Sequence, residues 1–214
     1  MAGARDPNSK ARRVWDKAAP RYDDSMGFFE RTFIEDGREW VTSRARGRVL
    51  EVAVGTGRDL PFYPADVTLT GIDLSPAMLR IAKRRAAELG RDVELLVGDA
   101  QKLPFDDESF DTVVTALALC SIPDSDAAIG EMKRVLVPGG RLLLLDHIRS
   151  SWPPVAAGQW LVERFTIPMA GDHLTRRHLP LVKRLGFEIV ETVRRKAGTI
   201  ERIHARKRST DAAL

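Results

Sequence analysis

The chain of 214 residues is long enough for one α/β domain with additional helices, and its 43% apolar and 30% charged residues are ordinary for a globular protein. A single cysteine, Cys120, excludes an internal disulfide and a zinc site built from several cysteines, and is typical of a cytoplasmic protein. The sequence has no apolar run of about 18 residues, and its polar N-terminus lacks the apolar core of a signal peptide. We therefore expect neither a membrane-spanning helix nor a signal peptide.

The formal net charge of +4 raises the question of a nucleic-acid partner. Most basic residues are interspersed with acidic ones, apart from the run Lys83–Arg85 and the C-terminal stretch Arg202–Arg208. Because no aromatic side chains alternate with these cations, the pattern favours a solvated surface over a site for nucleic acid. We expect no nucleic-acid partner.

The N-terminal part of the chain is predicted to be helical. Residues 1–12 are short, polar and rich in turn formers, and we expect them to fray. Residues 13–44 mix apolar and aromatic side chains with charges in a helical pattern, and Pro20 interrupts them, which predicts two short helices. We assign residues 1–44 to an N-terminal helical lid and residues 45–214 to the main domain.

From residue 48 onward, short apolar runs alternate with helical patterns. The predicted strands of this part lie at 48–53, 67–72, 93–97, 110–116 and 141–147. Ser75 can cap the helix that follows the second strand, with Pro76 in its first turn. Two further runs, 187–193 and 199–206, are separated by a tight turn and predict an antiparallel pair. The prediction is an α/β fold with a seven-stranded, mostly parallel sheet, an antiparallel C-terminal strand and helices on both faces.

The first motif that indicates chemistry joins a strand to a glycine-containing turn. The strand Val49–Val52 runs directly into a turn with Gly55 and Gly57, and Asp73 ends the next strand. Glycine allows a ligand to approach the backbone, and a carboxylate at this position can accept hydrogen bonds from two ribose hydroxyls. Acids at the ends of two successive strands favour a nucleoside site.

Two kinds of nucleoside ligand fit this pattern, a dinucleotide and S-adenosylmethionine. The dinucleotide fingerprint needs a third small residue where this chain has Leu60. Asp59 and Glu51 also make a poor environment for two phosphates, but a good one for a sulfonium ligand that carries an ammonium group. The electrostatics therefore favour S-adenosylmethionine.

Three later motifs follow in order: Val97–Phe105 with Asp99 at a strand end, Phe110–Val114, and the turn Leu136–Arg141. An acid at the third strand end can accept a hydrogen bond from the exocyclic amine of adenine. Together, over residues 45–147, these motifs resemble the class I S-adenosylmethionine-dependent methyltransferases. The resemblance is strongest to the subgroup that contains the ubiquinone/menaquinone C-methyltransferases and the phospholipid N-methyltransferases. Within it, Leu60–Pro64, Leu119–Ser121 and Asp146–His147 are most similar to bacterial phosphatidylethanolamine N-methyltransferases and animal alkyl-thiol S-methyltransferases.

This resemblance implies a Rossmann-like fold, S-adenosyl-L-methionine as cofactor and S-adenosyl-L-homocysteine as product. It implies that the cofactor is contacted by residues of the lid and of the first four strand ends: Tyr22, Glu51, Ala53, Gly55, Thr56, Gly57, Asp73, Leu74, Met78, Asp99, Ala100, Ala116 and Leu117. The chain departs from the family at one position. Ala53 replaces the first glycine of the E-x-G-x-G-x-G motif, which narrows the space beside the methionine moiety.

Candidates for the acceptor side of the reaction are Tyr22, His147 and His173, with Asp172 beside the last. Tyr22 lies in Ala19–Asp23, which resembles the A-x-x-Y-D segment that covers the cofactor in this subgroup. His147 ends a strand, where a neutral imidazole could take a proton from an acceptor. We expect an insert at about residues 150–180 to form a wall of the acceptor pocket, and we expect no metal site.

The acceptor itself stays open at this stage. We favour N-methylation of a small amine, followed by S-methylation of a small thiol. Headgroup methylation of a phospholipid is the third candidate, with a weak contact between residues 13–44 and an anionic bilayer. A catalytically silent protein that retains the cofactor fold is the fourth. The oligomeric state and the pathway are not indicated by the sequence.

Overall fold

A computed structural model describes residues 7–209 of the chain. Of the segment 1–12 that was predicted to fray, residues 1–6 lie outside the described part, whereas residues 7–12 are helical, so the prediction is wrong for them. The helices are α1 (Pro7–Phe29), α2 (Gly37–Thr42), α3 (Pro76–Glu88), α4 (Ser125–Val135), α5 (Pro153–Ala170) and α6 (Leu179–Arg184). The strands are β1 (Arg48–Val52), β2 (Thr68–Asp73), β3 (Glu94–Val97), β4 (Phe110–Ala116), β5 (Leu136–His147), β6 (Glu188–Arg195) and β7 (Ile200–Arg206).

The strands form one seven-stranded sheet in the order β3-β2-β1-β4-β5-β7-β6. Strands β1 to β5 are parallel, and β7 runs antiparallel to both of its neighbours, β5 and β6. This arrangement confirms the predicted α/β fold with an antiparallel C-terminal strand. The turn between β6 and β7 contains Gly198 at a φ of +75°, a conformation that glycine adopts without steric cost.

Both faces of the sheet are buried, as the continuous apolar runs of the parallel strands require. Successive side chains of a strand point to opposite faces, so Leu142 and Leu144 pack into the cluster that includes α4, while Leu143 and Leu145 pack into the cluster that includes α2. Each buried leucine side chain stabilises the fold by about 1.5–3 kcal/mol before entropy is counted. These two clusters hold the strand ends rigidly.

The N-terminal segment differs from the prediction. Helix α1 is one helix that begins at Pro7 and continues through Pro20, and it gives way to a π-helical turn at Glu30–Ile34. Proline removes one backbone donor, but α1 is fixed on both sides of it. Asp16 accepts hydrogen bonds from Ser75 Oγ and Ala77 N, and Asp23 accepts one from Thr56 Oγ1. Tertiary contacts therefore outweigh the helix-breaking tendency of Pro20.

Strand β5 also begins earlier than predicted, at Leu136 instead of residue 141. The pairing of β4 with β5 passes from Phe110–Leu136 to Thr112–Arg141, so the Pro-Gly-Gly segment is an irregularity inside the strand. Gly139 has a φ of +77°, and a Cβ on Gly140 would lie 2.8 Å from the carbonyl oxygen of Val137. The two glycines permit the chain to leave α4 and enter β5 without a separate loop.

The prediction of a solvated basic surface is wrong for Arg202. Its side chain is fully buried, and its guanidinium donates to Asp36 Oδ1 at 2.5 Å and to the carbonyl oxygen of Ile34 at 3.2 Å. Arg85, from the other basic run, donates to Asp23 and to the carbonyl oxygen of Thr56. Both arginines hold the N-terminal segment against the sheet domain.

Candidate functional site

A cleft opens where the strand order reverses, between the carboxyl ends of β1 and β4. Parallel sheets of this type bind ligands at such a switch point because the loops on either side diverge. The cleft is lined by the strand ends, by the first turn and middle of α1, and by the turn after β4: Asn8, Trp15, Tyr22, Arg38, Glu51, Ala53, Gly55, Thr56, Asp59, Asp73, Leu74, Met78, Asp99, Ala100, Gln101, Ala116, Leu117 and Ser121.

The turn after β1 has an unusual backbone. Ala53, Gly55 and Gly57 all have positive φ, of 58°, 57° and 76°. Gly55 lies in open space, whereas a Cβ on Gly57 would lie 2.8 Å from Leu60 Cδ1. Gly57 does not line the cleft. Its missing side chain allows the turn to pack against Leu60. Ala53 holds a conformation that glycine would adopt freely, and a strained residue at a ligand-binding turn is a common feature of functional sites.

Asp73 ends β2 at the floor of the cleft, with both carboxylate oxygens anchored. Oδ2 accepts a hydrogen bond from Gly55 N at 2.8 Å, and Oδ1 accepts one from Ser75 N at 2.7 Å. Burial raises the pKa of Asp73 to about 6, although these backbone donors partly offset the increase. Each oxygen retains a lone pair that can accept a hydrogen bond from a bound hydroxyl.

A buried charge cluster lies beside the turn after β1. Arg38 donates to Glu30 at 2.5 Å and to Asp59 at 2.7 Å, and Glu51 lies next to them with its Oε2 buried and without a hydrogen-bond partner among the described residues. Burial, together with the negative charge of Asp59, raises the pKa of Glu51 well above its usual range. A cationic group bound in the cleft would supply the missing partner and favour the ionised form of Glu51.

The opposite end of the cleft is formed by the segment after β3. Asp99 Oδ1 accepts a hydrogen bond from Gln101 N at 2.9 Å, and Asp99 Oδ2 accepts one from the Asn8 side chain at 2.6 Å. The Gln101 amide in turn donates to Asn8 Oδ1 at 2.9 Å. Helix α1 therefore closes this end with its first turn, and the carboxylate and amides present donors and acceptors suited to a purine edge.

The middle of α1 covers the cleft from above. Tyr22 packs edge-on against Trp15 at 6.1 Å between ring centroids, and both side chains line the cleft. Burial raises the pKa of Tyr22 to about 12, so its hydroxyl stays protonated at neutral pH. Tyr22 therefore lies on the side of α1 that lines the cleft.

The predicted acceptor-side histidines lie next to the cleft, not in its lining. His147 Nε2 lies 3.4 Å from Asp172 Oδ1, and ligand atoms of both residues lie within 4.8 Å of each other and of Cys120. His173 donates its backbone amide to the carbonyl oxygen of Cys120 at 2.9 Å, and its side chain is directed to Glu163 at 3.8 Å. Cys120 precedes Ser121, which lines the cleft in the turn after β4. Loop 171–173 therefore packs behind one wall of the cleft.

The ionisation of the His147–Asp172 pair follows from its surroundings. Burial alone would lower the pKa of His147, but the interaction with Asp172 and the charge of Asp146 outweigh it and raise the pKa. Burial would raise the pKa of Asp172, and the contact with His147 lowers it instead. Burial and the nearby carboxylates raise the pKa of the Cys120 thiol well above its usual range. Cys120 is therefore a buried neutral thiol, and His147 is a protonatable group with its Nδ1 unpartnered among the described residues.

Several lining residues were not predicted. Asn8 lies in the segment predicted to fray, Gln101 lies in the Val97–Phe105 motif with no role assigned to it, and the sequence gives no reason to single out Arg38 from the other cations. Only the spacing of Trp15 and Tyr22, seven residues apart on one helix, could have indicated a shared face over the cleft. The predicted acceptor wall at α5 does not line the cleft; its C-terminal end leads into loop 171–173.

Comparison with known proteins relates this geometry to a family. Residues 50–144 match the family described as a methyltransferase domain. The chain is 41% identical over 121 residues to a phosphatidylethanolamine N-methyltransferase of Cereibacter sphaeroides, which covers 56% of this chain and 60% of that protein. It is 36% identical over 166 residues to a ubiquinone/menaquinone biosynthesis C-methyltransferase of Bordetella avium, covering 72% and 64%.

The chain spans less than two thirds of the length of these two relatives. Among solved structures, an S-adenosylmethionine-dependent methyltransferase of Thermotoga maritima superposes with a TM-score of 0.71 at 22% identity, covering 92% of this chain and 99% of that one. A geranyl diphosphate methyltransferase bound to its substrate and sinefungin superposes with a TM-score of 0.65 at 18% identity, covering 80% and 76%. At these identities the likeness concerns the fold.

Proposed function

We propose that the protein is a class I S-adenosylmethionine-dependent methyltransferase and that it transfers the methyl group to an amine. The observation that carries the choice of acceptor is the His147–Asp172 pair beside the turn after β4. A protonated amine is attracted by a carboxylate, and an imidazole can remove its proton. An acceptor that is already an anion needs neither the attraction to a carboxylate nor the removal of a proton.

The residues of the cleft fit the cofactor. Asp73 would accept hydrogen bonds from the ribose hydroxyls, Asp99 would face the adenine amine, and Glu51 would partner the ammonium group with its unsatisfied oxygen. When bound, S-adenosylmethionine supplies an electrophilic methyl group on a sulfonium. Tyr22 and Trp15 would exclude water from the methyl side, which favours a reaction that depends on alignment.

The residues of the chain would then take part chemically only by removing a proton from the acceptor. Asp172 holds His147 and supports its protonated form, and His147 receives the proton that the ammonium must lose before its lone pair can attack. Cys120, neutral and buried, takes no covalent role because direct displacement needs no enzyme nucleophile. The relative from Cereibacter sphaeroides, by its name, also methylates nitrogen, which supports the same choice.

The proposal is tested by measuring S-adenosylhomocysteine release with a panel of amines, thiols and phosphatidylethanolamine vesicles. We expect release with at least one amine, whether free or lipid-borne, and none with thiols. Release with thiols alone would contradict the choice of nitrogen. Binding of S-adenosylmethionine without any release across the panel would support a catalytically silent protein instead.

A further inference from the structure

Helix α5 (Pro153–Ala170) exposes an apolar surface that the fold does not cover. Six large apolar side chains of this helix and its preceding residue are 50 to 75% exposed: Trp152, Trp160, Leu161, Val162, Phe165 and Met169. An isolated exposed leucine is ordinary, but six large side chains on one element form a contiguous feature that indicates a partner. We call these six residues the α5 patch. Among the described residues, no helix is both long and apolar enough to cross a membrane.

The exposed charged residues of the segment 148–180, which contains the α5 patch, are all arginines. Helix α5 has two charged residues, and the acid, Glu163, is buried and accepts hydrogen bonds from Thr175. The cation, Arg164, is exposed and lies over the Trp160 ring at 5.3 Å. The other exposed charged residues between positions 148 and 180 are Arg149 and Arg177. The patch therefore consists of apolar and aromatic side chains in a segment whose exposed charged residues are all cationic.

We propose that the α5 patch binds the surface of an anionic lipid bilayer. Tryptophan and arginine are side chains that favour the boundary between lipid headgroups and acyl chains, and the exposed arginines of this segment add electrostatic attraction to anionic lipids. A second copy of the chain fits less well, because the exposed cation Arg164 beside Trp160 would face its own copy across a symmetric interface. This inference depends on α5 alone and does not require the proposed acceptor to be correct.

The α5 patch lies close to the acceptor side of the cleft. Lys10 Nζ on α1 donates to the carbonyl oxygen of Pro168 at 2.8 Å, so the end of α5 is joined to the helix that covers the cleft. After α5, loop 171–173 packs on Cys120. A bilayer at the α5 patch would therefore lie beside the place where an acceptor enters. The sequence placed a weak membrane contact at residues 13–44, which expose two large aromatic side chains, Phe28 and Phe33, where the α5 patch exposes three.

Vesicle flotation tests the inference. The full chain is floated with phosphatidylcholine vesicles that contain or lack phosphatidylglycerol, and we expect binding to the anionic vesicles only. The double variant Trp160→Ser/Phe165→Ser should partition about tenfold or more weakly. The matched control, Phe28→Ser/Phe62→Ser, removes two exposed phenylalanines outside the α5 patch and should bind as the wild type does. Circular dichroism verifies that both variants are folded.

A charge variant separates the electrostatic contribution to vesicle binding from the apolar contribution. Arg164→Glu should weaken binding to anionic vesicles, and added salt should weaken the wild type in the same direction. No binding of the wild type to anionic vesicles, or equal binding by the Trp160→Ser/Phe165→Ser variant, would overturn the proposal. Loss of binding in the Phe28→Ser/Phe62→Ser control would overturn it in favour of α1. A dimer of the wild type on size exclusion that the α5 variant converts to a monomer would identify the α5 patch as a protein interface instead.

Discussion

Asp73 is buried at the floor of the cleft, with both oxygens held by backbone amides. Its pKa is raised to about 6 by burial, and only its ionised form can accept hydrogen bonds from two ribose hydroxyls. If Asp73 binds the ribose hydroxyls as proposed, protons compete with the cofactor below that pH. Calorimetry should show S-adenosylmethionine binding about tenfold weaker at about pH 5 than at pH 7.

The variant Asp73→Ala provides the control for this pH dependence. It should weaken S-adenosylmethionine binding by about 1–3 kcal/mol at pH 7, because the ribose hydroxyls lose their acceptor, and binding should no longer vary between pH 5 and 7 through this group. Wild-type affinity in the variant would remove Asp73 from the site.

Ala53 carries backbone strain that the sequence did not reveal. Its φ of 58° lies in the left-handed region, which costs a non-glycine residue about 1–2 kcal/mol. Ala53→Gly removes this strain but gives the unfolded chain more freedom, so the free energy of unfolding should change by less than about 1 kcal/mol. Cofactor affinity should be equal or higher because a methyl group leaves the cleft. The control variant is Ala53→Val, which places a β-branched residue at positive φ. It should lower the free energy of unfolding measured in urea. Strong loss of binding in Ala53→Gly would show that the methyl group makes a contact that binding needs.

The proposed role of His147 as a base predicts that turnover depends on pH. The pKa of His147 is raised above its usual 6.5, so the neutral form that accepts a proton accumulates only above that pH, and wild-type turnover of an amine should rise through this range. His147→Asn should lower kcat by about 10²–10⁴ at pH 7 with cofactor affinity nearly unchanged. The deficit in kcat should shrink as pH rises and free amine becomes abundant.

Asp172→Asn should move the dependence of turnover on pH to lower pH than in the wild type. Unchanged turnover of an amine by His147→Asn would exclude His147 as the base.

At the scale of elements, α1 is joined to the start of α3 by Asp16. Asp16 accepts hydrogen bonds from Ser75 Oγ and Ala77 N at the start of α3. Asp16→Ala should lower the free energy of unfolding by about 1–2 kcal/mol, since each bond is worth about 0.5–1.5 kcal/mol, and it should speed cofactor release by loosening the lid. Asp24→Ala, an exposed carboxylate on the same helix, should leave both quantities unchanged. Equal release rates in the two variants, measured by stopped-flow, would show that α1 does not retain the cofactor.

The elements also show how far the sequence predicts the fold. The parallel strands were predictable within a residue or two, because buried strands require continuous apolar runs, and Ser75 caps α3 as expected through its bond from Met78 N. Two boundaries were not predictable. Pro20 does not break α1 because the bonds of Asp16 and Asp23 are tertiary, and β5 starts at Leu136 because its irregular pairing with β4 depends on the neighbouring strand.

At the scale of the whole molecule, the candidate site was only partly predictable. Glu51, Asp73 and Asp99 line the cleft because strand ends meet at one edge of a parallel sheet, a rule that the sequence alone supports. Asn8, Arg38 and Trp15 line the cleft because the N-terminal segment folds back over the sheet. No local sequence pattern predicts that arrangement. For the same reason, the pairing of His147 with Asp172, twenty-five residues later in the chain, came from the structure.

The central claim is that the methyl group goes from S-adenosylmethionine to nitrogen. It is tested most directly with S-adenosylmethionine carrying a ¹³C-labelled methyl group, followed by carbon NMR of the product formed with an acceptor from the panel. We expect the label at the chemical shift of an N-methyl carbon, in an amount equal to the S-adenosylhomocysteine released. A label on sulfur or carbon, or no transfer by a protein that binds the cofactor, would contradict the account.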